Sequence, residues 1–446
     1  MFDNCDNVLS YPDQAMFLAA RGADHDAAIQ ACWHYRRPID EAAVERFHGR
    51  LGHGLMGRRI ERSPLPFGRH RWISSPGPQC ELDVAESPRP PSEQFAFADE
   101  QLDLPLDPEW GPAWRLAIQP FTDGSTSVLL TISHCIADGT AVFSGVCDAV
   151  SGTIADLGYP APNSRSWASA LRSDLALTLR DTPEIGRALG RAAGMAFGRR
   201  RAVPLSRPTA SGGAERIRVP SAAVAIDAGL FDSRAVSLGG NGHSLVAGFA
   251  VRLAGRLGRV RAEDGAVTLM IPVSQRVSPD DTGGNVVSIA RVSVDPSGIA
   301  TDLGGARREI GRAVGRAIDT PEEMVGLLPL VPFVPIRAVG RLADMAFGFT
   351  ADVPVSCSNV GELPSELLRV DGTEAEFFWA RGMDRNITRI ALERRSGVLT
   401  VASARIGGKV VLVVIGYLPG QENSRVRLIE VIGQTLSDFT LSGVTQ

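Results

Sequence analysis

Lysine is almost absent from this sequence, since Lys409 is the only one among 446 residues. The other basic residues are arginines, which we interpret as the codon usage of a GC-rich genome rather than as a phosphate-binding signature. The formal net charge is -4, so the charge balance does not attract the chain to nucleic acid. The composition therefore predicts no nucleic-acid partner.

Cysteine and histidine are few and do not cluster. The six cysteines form no CxxC pair and stand at Cys5, Cys32, Cys80, Cys135, Cys147 and Cys357. Scattered thiols in a chain of this length are typical of a reducing compartment. The histidines also lack the spacing of metal ligands. We therefore expect a cytoplasmic protein that binds no metal.

Long hydrophobic runs are missing as well. The opening MFDNCDNVLS has neither a basic start nor an apolar region, so we expect no signal peptide. No stretch of about 20 apolar residues could span a membrane, and the apolar, loop-like run at 325–336 contains three prolines. The amphipathic segment 337–349 could contact lipid, cover an acyl pocket or pack as an ordinary helix. Peripheral membrane contact thus stays open.

The N-terminal part alternates strand and helix patterns. Residues 28–36 have the composition of a strand, and residues 39–55 carry apolar side chains at helical spacing. Residues 114–121 and 125–133 flank the turn TDGS, which predicts a β-hairpin. Hydrophobic residues at 44% and charged residues at 22% fit a folded protein with a large core.

The middle of the chain has a different character. Residues 182–201 predict a basic amphipathic helix, residues 207–216 predict a flexible connection, and strands and helices alternate again beyond them. We predict an α+β (mixed α/β) protein in three parts. These are an N-terminal lobe at 1–165, a helical crossover and linker at 166–215, and a C-terminal lobe at 216–446.

The motif HCIADG follows the second strand of the hairpin. Side chains alternate along a strand, so Ser133 and Cys135 share one face and His134 takes the other. A thiol–imidazole dyad is therefore disfavoured, and Cys135 is interpreted as a packed hydrophobe. Asp138 could cap the following helix or pair with a distant arginine. Gly139 could adopt a positive φ or admit another chain segment.

His134 has two interpretations. A neutral imidazole at a strand end can take a proton from a hydroxyl or amine as that group attacks a carbonyl. A lone histidine is also often a satisfied core residue, and its position alone does not decide between these alternatives.

Several segments together resemble one family. HCIADG fits the HxxxDG signature of the CoA-dependent acyltransferase superfamily, which includes condensation domains, polyketide-associated acyltransferases and wax ester synthase/diacylglycerol acyltransferases. Four further segments are similar to the wax ester synthase-like group and occur in the same order: VLSYPDQAMFLAARG at 8–22, LDLPLDPEWGPAWRLAI at 102–118, IPVSQR with DDTGGN at 271–285, and SNVGELP at 358–364.

The resemblance implies a fold and a reaction. Two lobes similar to chloramphenicol acetyltransferase would form a V with a central channel. His134 would act there as general base, without an acyl-enzyme, while an acyl group moves from a thioester to a hydroxyl or amine. The donor would be acyl-CoA or an acyl-carrier protein, the acceptor a small molecule, and no bound cofactor is implied.

The resemblance also assigns supporting residues. Asp138 and Gly139 would be structural, with Arg276 as the partner of Asp138. Ser358 and Asn359 could contact the oxyanion or acceptor, or they could stabilise a turn.

The sequence departs from the family at three places. SNVGELP lacks the proline that follows Asn-Val in the family. Ser133 replaces the second histidine of many members. His243–Ser244 stands where the wax synthases usually have Asn–Asp, which puts wax or triacylglycerol synthesis in doubt. His243 itself is interpreted as a helix-start residue. Two alternatives therefore remain: a condensation-like enzyme fed by a carrier protein, and a degenerate, non-catalytic lipid-binding member.

Overall fold

The computed structural model describes residues 7–22, 26–198, 215–276, 278, 281–319, 325–336, 339 and 353–445. The helices are α1 (Tyr11–Arg21), α2 (Glu41–Leu51), α3 (Gln94–Asp103), α4 (Gly139–Ser151), α5 (Trp167–Arg180), α6 (Thr182–Gly198), α7 (Ala228–Ser237), α8 (Gly242–Arg256), α9 (Gly304–Asp319), α10 (Arg389–Arg394) and α11 (Arg425–Asp438). Short 3-10 helices lie at Gly54–Met56, Pro91–Glu93, Val325–Phe333 and Ser365–Leu368.

The strands form two large mixed sheets and a small hairpin. The N-terminal strands are β1 (Ala27–Tyr35), β2 (Arg58–Glu61), β3 (Arg71–Ser74), β4 (Asp83–Val84), β5 (Trp114–Pro120) and β6 (Thr126–Ser133). The C-terminal strands are β7 (Ser221–Asp227), β8 (Val267–Ser274), β9 (Val287–Val294), β10 (Val355–Glu362), β11 (Phe377–Asp384), β12 (Val398–Ile406), β13 (Lys409–Tyr417) and β14 (Val444–Thr445).

The N-terminal sheet has the order β11-β1-β6-β5-β4. Every residue of β6 is buried, which places the strand that leads into HCIADG at the centre of this sheet. Trp33 of β1 is fully buried, and its Nε1 donates to the Leu367 carbonyl at 2.7 Å. A buried indole with its N–H satisfied contributes its full apolar area to the core.

Strand β11 comes from the C-terminal half of the chain but pairs with β1 in the N-terminal sheet. The antiparallel register runs from Ala27 opposite Asp384 to His34 opposite Phe377. Without β11, β1 would present an unpaired edge. The division at 165 and 215 did not anticipate this exchange, because cross-strand pairing between distant segments leaves no local pattern.

The C-terminal sheet has the order β14-β7-β13-β12-β10-β8-β9. The odd-numbered residues of β13 from Val411 to Ile415 belong to the N-terminal core, and the even-numbered ones from Val410 to Val414 belong to the C-terminal core. Alternation with a period of two therefore buries both faces of this strand. Strand β13 thus contributes to the hydrophobic cores of both lobes. The mixed α/β fold class predicted from the sequence is confirmed.

Two predictions concern segments around the last 3-10 helices. The run 325–336, interpreted as loop-like, contains the 3-10 helix Val325–Phe333, which contacts α1 and α6. The predicted amphipathic segment 337–349 lies outside the described residues except for Val339. The basic helix predicted at 182–201 is described up to Gly198, so its last three arginines, Arg199–Arg201, also lie outside the described residues. Within the described ranges, no helix is both long and apolar enough to cross a membrane.

His70 packs in the N-terminal core and predicts a pH dependence of stability. Burial lowers its pKa from 6.5 to about 4, and its ring lies edge-on to Phe17. The unfolded chain therefore binds a proton at pH 5 that the folded chain does not, so stability present at pH 7 falls as the pH drops below 6.5. We expect urea denaturation at pH 5 and pH 7 to differ by about 2 kcal/mol more in the wild type than in His70→Asn. Equal pH dependence in both proteins would contradict this assignment.

Candidate active site

The predicted catalytic histidine lies in a tight turn between β6 and α4. The His134 backbone N–H donates to the Ala27 carbonyl at 2.9 Å, which extends the pairing with β1 by one bond. Four residues later, the Asp138 carboxylate accepts from the Ala141 N–H at 2.9 Å and caps α4. A strand end and a helix cap thus fix the HCIADG backbone at both ends.

Asp138 also bonds to the C-terminal lobe. Arg276 Nη2 donates to Asp138 Oδ2 at 2.9 Å, and the Val286 N–H donates to the same oxygen at 3.1 Å. The guanidinium reaches the carbonyls of Asp281 and Gly283 as well, at 2.8 and 3.0 Å. Arg276 therefore contacts Asp138, the partner that the resemblance implies for it. The same guanidinium connects loop 281–286 to the histidine turn.

Asp13, fully buried in the first turn of α1, holds the same loop from the other side. Its Oδ1 accepts from the Asn285 N–H at 2.7 Å, and its Oδ2 accepts from the Gly284 N–H at 3.1 Å. Asn285 Nδ2 donates to the His134 carbonyl at 3.1 Å. A side chain at Gly284 would put its Cβ 2.7 Å from the Asp13 carboxylate, so this close approach requires glycine.

Arg58 is a site residue that the sequence analysis missed. It is fully buried, and Nη2 donates to the Ile136 carbonyl at 2.6 Å while Nη1 donates to the Thr282 carbonyl. The guanidinium stacks 3.9 Å from the Trp72 ring centroid, and burial lowers its pKa. One cation therefore joins the histidine turn to the loop of the other lobe. Its sequence context, GRRIERS, gives no sign that this arginine points inward.

We expect Arg58→Met to destabilise the fold. The methionine can fill much of the same volume, but the carbonyls of Ile136 and Thr282 lose their donor, at about 1–3 kcal/mol each. Arg59→Met is the matched control, because Arg59 is half-buried and donates to the exposed carbonyl of Trp110. Urea denaturation of both variants measures the difference. Equal, small losses would mean that Arg58 does not hold the two segments.

The His134 ring is half-buried and makes no hydrogen bond with any residue in the described part of the chain. Its Nδ1 is shielded from solvent. The neighbouring Cys135 is buried, and burial raises the pKa of its thiol to about 12. Of the two reactive side chains in HCIADG, the Cys135 thiol is therefore unsuited to act as a thiolate nucleophile.

Gly139 begins α4 and does not adopt a positive φ. A Cβ there would meet Phe143 at 3.8 Å, which is an ordinary van der Waals contact, and apart from its neighbours in the chain no other described residue comes within 4 Å of it. Gly139 therefore does not use the positive φ that glycine allows. The helix start does not require it, because Asp138 provides the cap in extended conformation.

Ser358 and Asn359 lie in β10, where its pairing with β12 becomes irregular. Asn359 Nδ2 lies 2.9 Å from His243 Nδ1, and its Oδ1 accepts from the Gly361 N–H at 2.9 Å. His243 is in the first turn of α8, which Asn241 and Ser244 cap reciprocally. The structure thus places Asn359 among C-terminal-lobe partners, and the oxyanion role stays a prediction.

The described residues contain no group of three or more histidine, cysteine, aspartate or glutamate side chains arranged to hold a metal ion. Asp138 and Arg276 are in contact, and His134 lies in the same turn as Asp138. Asp13 and Asn285 join them. Both residues lie in segments that resemble the family, at 8–22 and 271–285, but the sequence alone did not indicate their role.

No family model and no curated protein matches the chain by sequence. Several solved structures, however, resemble the chain in fold. The first condensation domain of the CDA synthetase has a TM-score of 0.57 at 13% identity and covers 99% of this chain and 100% of its own. The wax ester synthase/diacylglycerol acyltransferase from Marinobacter aquaeolei has a TM-score of 0.54 at 14% identity, with 97% and 98% covered.

A polyketide synthase associated protein from Mycobacterium tuberculosis gives a TM-score of 0.55 at 15% identity, with 96% of each chain covered. A nonribosomal peptide synthetase gives 0.54 at 19% identity, and this chain covers 43% of that longer chain. The chain has the mixed two-lobed fold of condensation domains and wax ester synthases, so the resemblance to the CoA-dependent acyltransferase superfamily is supported at the level of fold.

Proposed function

We propose that the protein is an acyltransferase that moves an acyl group from a thioester to a hydroxyl or amine, with His134 as general base. The proposal rests on the difference between the backbone and the side chain of His134. The His134 backbone is held by the Ala27 carbonyl and by Asn285, whereas its imidazole makes no hydrogen bond with the described residues. A general base needs a ring nitrogen that no other protein group occupies, and the His134 ring meets that requirement among the described residues.

The reaction balances with one base. Neutral His134 takes the proton of the acceptor hydroxyl or amine as that oxygen or nitrogen bonds to the thioester carbonyl carbon. The tetrahedral intermediate then expels the thiolate, the C–S bond breaks, and the imidazolium returns its proton to the leaving sulfur. General base catalysis of this kind contributes about 10²–10⁴-fold. Holding both reactants between the lobes can contribute roughly 7–11 kcal/mol.

Cys135 is excluded as the nucleophile of this scheme, because its thiol is buried and its pKa is raised to about 12. No acyl-enzyme is then needed. Ser358 and Asn359 remain the candidates for contacts to the oxyanion or acceptor. Because Asn359 Nδ2 lies against His243, a role for Asn359 at the carbonyl requires that it exchange this partner.

A second candidate is a condensation-like enzyme fed by a carrier protein. The condensation domain of the CDA synthetase, which this chain resembles over 99% of its length, favours it. The two candidates share the base and differ in what carries the thioester. Acyl-CoA would bring its own nucleotide, whereas a carrier protein would have to dock on the enzyme surface.

One assay tests the proposal and separates the two candidates. The protein is incubated with a panel of acyl-CoAs and of acyl-loaded carrier proteins, together with alcohols and amines. Free thiol release is followed, and products are identified by mass. We expect thiol release that depends on the acceptor with one donor class and falls sharply in His134→Ala. Equal release by wild type and variant with every donor would end the enzymatic interpretation.

A further inference from the structure

The helical crossover exposes large apolar side chains to solvent. Trp167, Leu175 and Leu179 of α5 are 70%, 47% and 65% exposed, and Leu189 of α6 is 56% exposed. The α5 residues are eight and four positions apart, so they follow one side of the helix. We call the three α5 residues the crossover face. Solvated helices rarely leave such an apolar stripe uncovered.

The charges around the crossover face have one dominant sign. Four exposed arginines lie on the same two helices: Arg172, Arg180, Arg187 and Arg191. Glu184 is the exposed acidic residue between them. The outward charge of the two helices in the described residues is therefore positive, in a protein whose net charge is -4.

This imbalance arises because the other acids of the crossover point inward. Asp174 is fully buried and accepts from Arg71 and Arg165 at 3.1 and 3.0 Å. Asp181, at the end of α5, is also buried and lies 3.2 Å from Arg69. These pairs attach the crossover to the N-terminal lobe. They also remove negative charge from its outer surface.

We propose that the crossover face binds the surface of an anionic lipid bilayer. Tryptophan and leucine on one side with arginines beside them is the composition of helices that lie in the membrane interface. Each arginine near such a surface strengthens binding about fivefold. A symmetric contact with a second copy is disfavoured by the same charges, because it would bring the arginines of both copies together. The proposal does not depend on the proposed acyl transfer.

Vesicle cosedimentation of the full chain tests this. Phosphatidylcholine vesicles with and without phosphatidylglycerol are compared at low and high salt. We expect binding to the anionic vesicles, weakened by salt and by removal of phosphatidylglycerol. Trp167→Ser/Leu179→Ser should weaken binding at least about tenfold, and Arg172→Gln/Arg180→Gln about 25-fold.

The matched control is Trp110→Ser/Val236→Ser, which removes side chains that are 74% and 71% exposed elsewhere on the surface. It should bind as the wild type does, and circular dichroism should be the same for all variants. Absence of vesicle binding by the wild type overturns the proposal, as does undiminished binding by Trp167→Ser/Leu179→Ser. A wild-type dimer that this variant converts to a monomer, without vesicle binding, assigns the face to self-association and also overturns it.

Discussion

Replacing His134 with alanine is expected to lower kcat for acyl transfer by about 10²–10⁴-fold, the contribution of a positioned general base. The fold should survive the change, because the imidazole makes no hydrogen bond with the described residues and the backbone contacts of residue 134 are kept. Initial rates of thiol release at saturating donor and acceptor measure the loss, and urea denaturation confirms unchanged stability.

Cys135→Ala is the control for this prediction. It removes the adjacent reactive side chain, which is buried with its thiol pKa raised to about 12. Its kcat should stay close to that of the wild type. If Cys135→Ala abolishes turnover while His134→Ala keeps it, the reaction proceeds through a thiol nucleophile, and the general-base mechanism is wrong.

Arg276→Ala should destabilise the fold strongly. It leaves Asp138, whose side chain is 8% exposed, without its cationic partner, and breaking a buried pair costs about 3–5 kcal/mol. Loop 281–286 also loses the donor to the carbonyls of Asp281 and Gly283. Urea denaturation measures the loss, which we expect to appear in the stability of the fold more than in the chemical step.

Arg312→Ala provides the comparison, because Arg312 and Glu309 form a pair whose side chains are 63% and 52% exposed. That variant should lose less than about 1 kcal/mol. Arg276→Lys should recover part of the stability, since an ammonium can reach the carboxylate but not all the carbonyls. If Arg276→Ala keeps the stability of the wild type and loses only kcat, Arg276 acts in the reaction rather than as a structural tie.

Local patterns predicted the elements that carry their own periodicity. The strand predicted at 28–36 forms as Ala27–Tyr35, and the hairpin that leads to His134 forms around TDGS. These segments combine apolar content with turn residues at both ends, so the chain itself marks their limits.

Long-range partners were predictable only where a motif named both members. The resemblance paired Asp138 with Arg276, whereas Arg58 and Asp13 received no role. The carbonyls to which Arg58 donates lie 78 and 224 residues away in sequence. The hydrophobic pattern of a strand of only four residues therefore cannot indicate which distant carbonyls its arginine will bind. The position of loop 281–286 could not be predicted for the same reason, because the loop is held by residues of the opposite lobe that are distant in sequence.

Strand β11 has a consequence for how the protein is made. During translation the N-terminal half leaves the ribosome with β1 as an open edge, and that edge is covered only after residues 377–384 have been synthesised. The histidine turn is incomplete for much of the same interval, because loop 281–286 arrives late as well. The nascent chain must therefore keep a hydrophobic, strand-pairing surface from aggregating until residues 377–384 have been synthesised.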